Sequence, residues 1–320
     1  MKIGTHSGTF HADESLAVYM LRLLPRFKDA ELLRSRDNEQ LETCDIIVDV
    51  GGKYEAPKYF DHHQREFNDT FDDEHKTRLS SAGLIYKHFG KEIIAQLTEV
   101  SVDDASIDVL YNKIYNEFIE AIDANDNGIS AYPEDTPSSY RTGGITLPSL
   151  VSKLNPLWTE PNTDEVLDAK FLKASELMGT AFVSVVENYG KGWYPAKQHV
   201  QAAFDARDQY GSEGRIVVFD TFVPWKEHLY TIEKELGKEG EVLYVLYSDG
   251  KGWRIQAVAQ SSSSFTSRKP LPEPWRGARD EKMSEITGVP GCVFTHVSGF
   301  IGGHKTREGA LELAKLALQA

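Results

Sequence analysis

Eight residues in the first 123 positions could do metal chemistry: His6, His11, Asp13, Asp49, Asp61, His62, His63 and Asp123. Imidazole nitrogens and carboxylate oxygens both bind divalent cations. The set is larger than one zinc requires, and carboxylates that can bridge suit a pair of Mn²⁺ or Mg²⁺ ions. Such a pair can clamp the attacking and leaving oxygens of a phosphoryl displacement. Cys44 and Cys292 are the two thiols. They are far apart and lack C-x-x-C spacing, which argues against a thiolate zinc site and a disulfide framework.

These residues stand where short elements end. Ile3-Gly4-Thr5 reads as a strand running into His6-Ser7-Gly8-Thr9-Phe10-His11-Ala12-Asp13-Glu14. From Asp13 to Leu24 the apolar residues recur at helical spacing, and Pro25 stops the pattern. A strand, loop and helix junction of this kind is where open α/β sheets place ligands, although Asp13 could simply cap the helix. A second strand is expected over Glu31–Arg34, and Ile46-Ile47-Val48-Asp49-Val50 before Gly51-Gly52 describes a buried parallel strand. An acidic residue at the end of so apolar a strand is costly unless it is paired or metal-bound. Tyr59-Phe60 then leads into Asp61-His62-His63. Ser80 caps a further helix, and a long one over Asp103–Asp123 ends in Ile122-Asp123-Ala124-Asn125-Asp126-Asn127-Gly128. Carboxylates at a helix C-terminus oppose its dipole unless a cation compensates, although acidic and amide residues are also ordinary turn formers.

Three regions are expected: a metal-binding domain over 1–146, a helical connection over 147–210 and an α/β domain over 211–320. A Pro-, Ser-, Thr- and Gly-rich stretch, Tyr132–Thr146, closes the first. Helices are predicted over Asp164–Tyr189 and Pro195–Gln209, and strands over Arg215–Phe219, Val242–Tyr247 and Gly252–Ala259. The fold class is therefore α/β, with an N-terminal parallel-sheet domain, a smaller second α/β domain and a cleft between them. In the last domain Arg268, Lys269, Arg276 and Arg279 surround Trp275, a mixture of charge and stacking surface found in single-stranded nucleic-acid sites. Gly302-Gly303-His304-Lys305-Thr306-Arg307 opens the last helix, where exposed N–H groups and cations suit a phosphate.

Charge is uneven. Residues 1–146 carry 15 Lys and Arg against 27 Asp and Glu, while the remainder carries 20 against 22, within a formal net charge of -14. The first part is suited to cations, the second can meet an anion, and a histone-like nucleic-acid binder is excluded. No apolar run approaches the ~20 residues needed to span a bilayer. No presequence is read ahead of the first strand, so the expected location is cytoplasmic, with the nucleus as an alternative.

The ordered motifs resemble the DHH phosphoesterase superfamily. Thr-His-Ser-Gly-Thr-Phe-His-Ala-Asp-Glu, Phe-Asp-His-His-Gln, Ile-Asp-Ala-Asn-Asp-Asn-Gly, Arg-Lys-Pro-Leu-Pro-Glu-Pro-Trp-Arg-Gly and Gly-Gly-His-Lys-Thr-Arg-Glu-Gly-Ala resemble its MYG (melanocyte proliferating gene) family. The superfamily pattern usually has an aspartate where His11 stands, which bears on metal preference. By this resemblance His6, His11 and Asp49 hold one metal; Asp13, Asp49, His62 and Asp123 hold the second, with Asp49 bridging. The resemblance further implies that Asp61 orients a histidine, that His63 faces the scissile phosphate, and that mitochondrial targeting is an alternative location.

The resulting expectation is a metal-dependent phosphodiesterase, a 3′ to 5′ exonuclease on RNA that releases nucleoside 5′-monophosphates through water activated by two ions, Mn²⁺ ahead of Mg²⁺. Arg268, Lys269, Arg276, His304 and Arg307 are the expected substrate contacts. Single-stranded DNA and short oligonucleotides are alternative substrates, and the oligomeric state is left open, a homodimer among the options. The competing readings are a pyrophosphatase or dinucleotide phosphodiesterase and a non-catalytic RNA-binding relic. A metal-dependent amidohydrolase would want an eight-fold strand and helix alternation, which this chain lacks.

Overall fold

The computed structural model describes residues 1–320 apart from 134, 137, 138 and 142. The stretch expected as a connection over 132–146 contains those four, and there it lies outside the described residues. The chain divides into two compact units, Met1–Lys191 and Gly192–Ala320. The helical region expected as a separate connection is thus shared out. Its long helix packs within the first unit, against the helix after the first strand, because it carries a continuous apolar face of Leu167, Phe171, Ala174, Met178 and Phe182.

The first unit begins with β1 (Lys2–Thr5), α1 (Ala12–Leu23), β2 (Glu31–Arg34), α2 (Asn38–Leu41), β3 (Ile46–Val48), β4 (Tyr54–Glu55) and β5 (Tyr59–Phe60). It continues with α3 (Ser81–Thr98), α4 (Ala105–Ile114), α5 (Glu120–Asp126), α6 (Leu147–Leu154) and α7 (Asp164–Glu187). The sheet order is β2-β1-β3-β5-β4. β1 pairs in parallel with β2 and β3, and β3 pairs in parallel with β5. β4 alone runs antiparallel, on β5. Three adjacent strands, β1, β3 and β5, therefore end on the same edge. The order reverses at β1, where ligands settle in open parallel sheets.

Ile3, Ile46, Ile47, Val48 and Phe60 are all buried, which is why these strands read as apolar runs without alternation. The long helix expected over Asp103–Asp123 is a continuous run in which a π-helical turn, Tyr115–Ile119, joins α4 to α5. α5 carries on to Asp126.

The second unit contains α8 (Tyr194–Asp205), β6 (Ile216–Phe219), α9 (Lys226–Glu235), β7 (Tyr244–Ser248), β8 (Trp253–Ala257), α10 (Asp280–Thr287), β9 (Cys292–Thr295), β10 (Ile301–His304) and α11 (Arg307–Gln319). Its sheet order is β6-β7-β8-β10-β9, with β6 and β7 parallel and the other pairs antiparallel. One apolar core gathers Ile255, Met283 and Leu313, and another gathers Val245, Trp225 and Phe204. Among the described residues no helix is long and apolar enough to cross a membrane.

Candidate metal centre

Each of the three adjacent strands delivers a polar residue at its carboxyl end. β1 leads into His6, which is buried. β3 leads into Asp49, whose φ of 60° lies in the left-handed region that few residues other than glycine adopt. Aspartate tolerates it, and the turn it makes continues through Gly51 and Gly52, both also at positive φ. β5 leads into Asp61, His62 and His63. α1 contributes its first turn: His11 is the N-cap, so Asp13 and Glu14 stand inside the helix with side chains almost wholly buried.

The geometry separates the members of the Asp-His-His run. Asp61 Oδ2 accepts the Gly52 N–H at 2.6 Å, and Oδ1 accepts the backbone N–H of His62 and of His63. The same Oδ1 accepts the Nδ1 proton of His63 at 2.7 Å. His63 is exposed, with its Nε2 free of this bond. His62 Nε2 instead faces inward, 3.2 Å from Asp49 Oδ1 and 3.2 Å from Asp126 Oδ2.

Asp123 does not join this group. Its Oδ1 accepts from Ser80 N, Ser80 Oγ and Gly83 N, and its Oδ2 accepts from Tyr115 Oη at 3.0 Å. The carboxylate is fully buried against the start of α3, whose free N–H groups it caps. Asp126, one turn further on and at the helix end, is the α5 carboxylate that meets Asp13 and His62, with ligand atoms within 4.8 Å of one another. Asp123, expected from sequence as a ligand, has both its oxygens committed to protein donors. Asp126 is the last acidic residue before Gly128.

Electrostatics reflect crowding. Burial opposes a charge on His6, but the Asp49 and Glu14 carboxylates outweigh it and hold its pKa up at about 10. Burial also works against ionised Asp49, yet His6 and His62 keep it well below the usual carboxylate range. Burial raises Asp13 and pushes Glu14 up to about 8 and Asp126 up to about 7; the neighbouring Asp49 charge adds to each. On His63 the Asp61 hydrogen bond dominates and raises it to about 9.

The residues offer ligands suited to divalent cations. Asp13 Oδ1, Glu14 Oε2, Asp49 Oδ1 and His62 Nε2 are buried atoms without a hydrogen-bond partner among the described residues, and all four belong to this cluster. His62 Nε2 lies 3.2 Å from an oxygen of each of two carboxylates, Asp49 and Asp126. Unpaired buried donors and acceptors facing one another are costly, and a shared cation removes the cost. Four overlapping sets of three could hold an ion: His6, His11, Glu14; Asp49, His62, His63; Asp13, His62, Asp126; and Asp13, Glu14, Asp49.

A cavity of about 630 Å³ opens above the cluster, and Arg36, Arg65 and Arg78 line it together with His6, His11 and His63. These three arginines, like Glu14 and Asp126, were missed as site residues from sequence. They are scattered singly along the chain, and only the fold gathers them.

The cations expected to hold substrate all lie in the second unit, and most are engaged there. Arg268 makes paired bonds of 2.8 and 2.7 Å to the wholly buried Glu233 and a third to Val242 O. Trp275, expected as a stacking surface, is buried in the core. Arg276 Nε donates to Leu271 O. His304 is buried; its Nε2 lies 2.9 Å from Pro290 O, and its Nδ1 accepts the Thr306 N–H. Arg307 is exposed and lies over the Tyr210 and Trp253 rings. Lys269 lines a separate cavity with Arg215 and Lys315.

Fold and site together define a two-unit α/β protein with a histidine and carboxylate centre on the carboxyl edge of a parallel sheet. Residues 2–318 match the family model MYG1_exonuc, described as an uncharacterised protein family (UPF0160), and the chain belongs to that family. It is similar to "MYG1 protein C694.04c" of Schizosaccharomyces pombe, at 57% identity over 99% of this chain and 97% of the relative. It is similar also to "MYG1 protein YER156C" of Saccharomyces cerevisiae, at 51% over 99% and 95%, and to human "MYG1 exonuclease", at 47% over 99% and 85%. A solved structure of RecJ in complex with Mn²⁺ from Thermus thermophilus aligns over 99% of this chain and 51% of that one, at 12% identity and a TM-score of 0.27, a likeness too slight to argue from.

Proposed function

We propose that the protein is a metal-dependent phosphodiesterase, a 3′ to 5′ exoribonuclease that releases nucleoside 5′-monophosphates. The observation that carries this reading is the convergence of buried histidine and carboxylate ligand atoms on one cluster beneath an arginine-lined cavity. The name of the human relative, an exonuclease at 47% identity across nearly the whole chain, supports the same reading.

In this reading His6, His11 and Asp49 hold one Mn²⁺ or Mg²⁺, and Asp13, Asp49, His62 and Asp126 hold the other. When bound, the two cations supply a nucleophile at neutral pH and neutralise charge that develops on the phosphoryl oxygens. The protein's own residues do the rest. Arg36, Arg65 and Arg78 grip and orient the terminal phosphodiester, where fixed cations favour the more highly charged transition state. His63, held through Nδ1 by Asp61, presents Nε2 to the leaving 3′ oxygen and donates a proton as the bond to phosphorus breaks. The acidic total charge disfavours loose binding along a polymer and favours strand ends.

A pyrophosphatase or dinucleotide phosphodiesterase is the second reading, favoured by the cavity, whose size is in the range typical of small-ligand sites. The test is cleavage of end-labelled RNA and DNA with Mn²⁺, Mg²⁺ or chelator, for the wild type beside Asp49→Asn. Shortening from the 3′ end to 5′-mononucleotides, lost in the variant, is the expected result. Activity confined to pyrophosphate or dinucleotides would replace the first reading by the second, and cleavage unaffected by Asp49→Asn would sink the metal assignment.

A further inference from the structure

We infer that Glu14 is itself a ligand of the first metal, returning the carboxylate that the superfamily pattern has at the position of His11. The inference rests on the two-cation reading above and adds a residue to it.

Glu14 does more than its local structure asks of it. In the first turn of α1 its Oε1 accepts the His11 N–H at 2.8 Å, the back-bond of a capping box. Glutamine performs that role as well as glutamate. Yet the side chain is a carboxyl group with no exposure at all, and its second oxygen, Oε2, has no partner. Leaving a buried acceptor unmet costs roughly 1–3 kcal/mol. Helix capping alone gives no reason to bear that cost.

His6 supplies an independent constraint. Its Nδ1 is engaged by Ser7 O at 3.2 Å and Arg36 Nη2 at 3.4 Å. The remaining nitrogen, Nε2, sits 3.2 Å from Glu14 Oε1 and 3.4 Å from Asp49 Oδ2. Ligand atoms bound at roughly 2.1 Å around a small divalent ion lie roughly 3.0–3.4 Å from their neighbours. His6 Nε2 is therefore spaced from Glu14 as one ligand of an ion is from the next, and His6, Glu14 and His11, the last at the exposed rim, together form a set that could hold one. Asp13 and Glu14, consecutive on one helical turn, then serve different metals, and Asp49 touches both groups.

The discriminating variant is Glu14→Gln, which keeps the oxygen that accepts from His11 but removes the charge. Chelator-stripped full-length protein is titrated with Mn²⁺ by calorimetry, with free Mn²⁺ followed by electron paramagnetic resonance. The expected result is two ions on the wild type and one ion bound much more weakly by Glu14→Gln. That weakening should exceed the roughly 10–100-fold cost of changing a residue that only supports a ligand. Two ions bound by the variant with wild-type affinity would overturn the inference while leaving the two-cation reading intact. A wild type that takes up no Mn²⁺ would overturn both. Where Glu14→Gln fails to fold, Glu14→Asp takes its place: it keeps the charge but withdraws it by one methylene. Selective loss of one ion supports the inference, and unchanged binding of both sinks it.

Discussion

Asp61 Oδ1 accepts the Nδ1 proton of His63, while His62, the histidine between them in sequence, turns its Nε2 the other way, towards Asp49 and Asp126. The adjacent histidines thus differ in engagement: His62 Nε2 is turned into the buried cluster, while His63 is exposed, with its Nδ1 held by Asp61 and 3.7 Å from Asp49 Oδ1. The proposed proton donor is therefore held by a residue that is not itself a ligand. Asp61→Asn should leave two Mn²⁺ ions bound, leave KM little changed and lower kcat by about 10–100-fold, the cost of freeing a catalytic ring from its support. His63→Ala should do the same without affecting metal uptake. Parallel Mn²⁺ titrations and steady-state kinetics check this; loss of Mn²⁺ from His63→Ala would show that His63 is a ligand.

The two aspartates of α5 should separate by phenotype. Asp126→Asn should weaken Mn²⁺ binding and leave stability in chelator unchanged or improved, since a half-buried carboxylate held near Asp13 and Asp49 is relieved. Asp123→Ala strips partners from Ser80 N, Gly83 N and Tyr115 Oη at once. At roughly 1–3 kcal/mol for each buried group left unmet, it should destabilise the fold by several kcal/mol in urea denaturation. Gly83→Ala should be comparably harmful, because a Cβ there would stand 2.3 Å from Asp123 Oδ2. An Asp123→Ala variant of wild-type stability that binds one ion fewer would reverse the two assignments.

Arg268 should behave as a structural residue. Its guanidinium neutralises Glu233, which has no exposed surface, and removing one partner of a buried pair leaves an uncompensated charge. Arg268→Ala is expected to cost about 3–5 kcal/mol, and pairing it with Glu233→Gln should recover part of the loss. Equilibrium denaturation of the two single variants and the double variant measures the coupling. Additive losses would show that the pair contributes nothing of its own.

Sequence made the first unit's site legible to the extent that chemistry and strand ends coincide. Ile46-Ile47-Val48 followed by Asp49, and Tyr59-Phe60 followed by Asp61-His62-His63, are apolar segments that end on polar residues, and both stand on the sheet edge. Asp126 was not legible because helical periodicity identifies a face but not which turn of it reaches the sheet edge. The π-helical turn at Tyr115–Ile119 shifts that count further. Glu14 was hidden because an acidic residue in the first turn of a helix has an ordinary explanation, and only its unpartnered second oxygen shows that explanation to be incomplete. Clustering of Arg268, Arg276 and Trp275 in sequence suggested a surface, but the fold commits them to Glu233, Leu271 O and the core.

Away from the metal centre, His75 ties the loop after β5 to the α4–α5 helix. Its Nδ1 lies 2.6 Å from Asp72 Oδ1 and its Nε2 lies 2.7 Å from Asn116 Oδ1, so both ring nitrogens face oxygen acceptors. Burial opposes the charged ring, but Asp72 and Asn116 outweigh it and raise His75 above its ordinary 6.5, while Asp72 is lowered chiefly by His75. For a histidine whose folded pKa is raised, the stabilisation is fully present below the unfolded value and is lost as pH rises through the folded one. The depressed Asp72 contributes above its unfolded value, 3.8, and loses that contribution as pH falls. The loop should therefore be held best between these limits, at mildly acidic pH, and loosen as pH rises past the raised His75 value. His75→Gln retains a polar side chain without a titrating charge and should remove that alkaline slope. Amide exchange of residues 70–78 measured at pH 6 and pH 9 checks it: the wild type should lose protection between the two, and the variant should change less. Equal pH dependence in both proteins would show that His75 carries no charge in the folded chain.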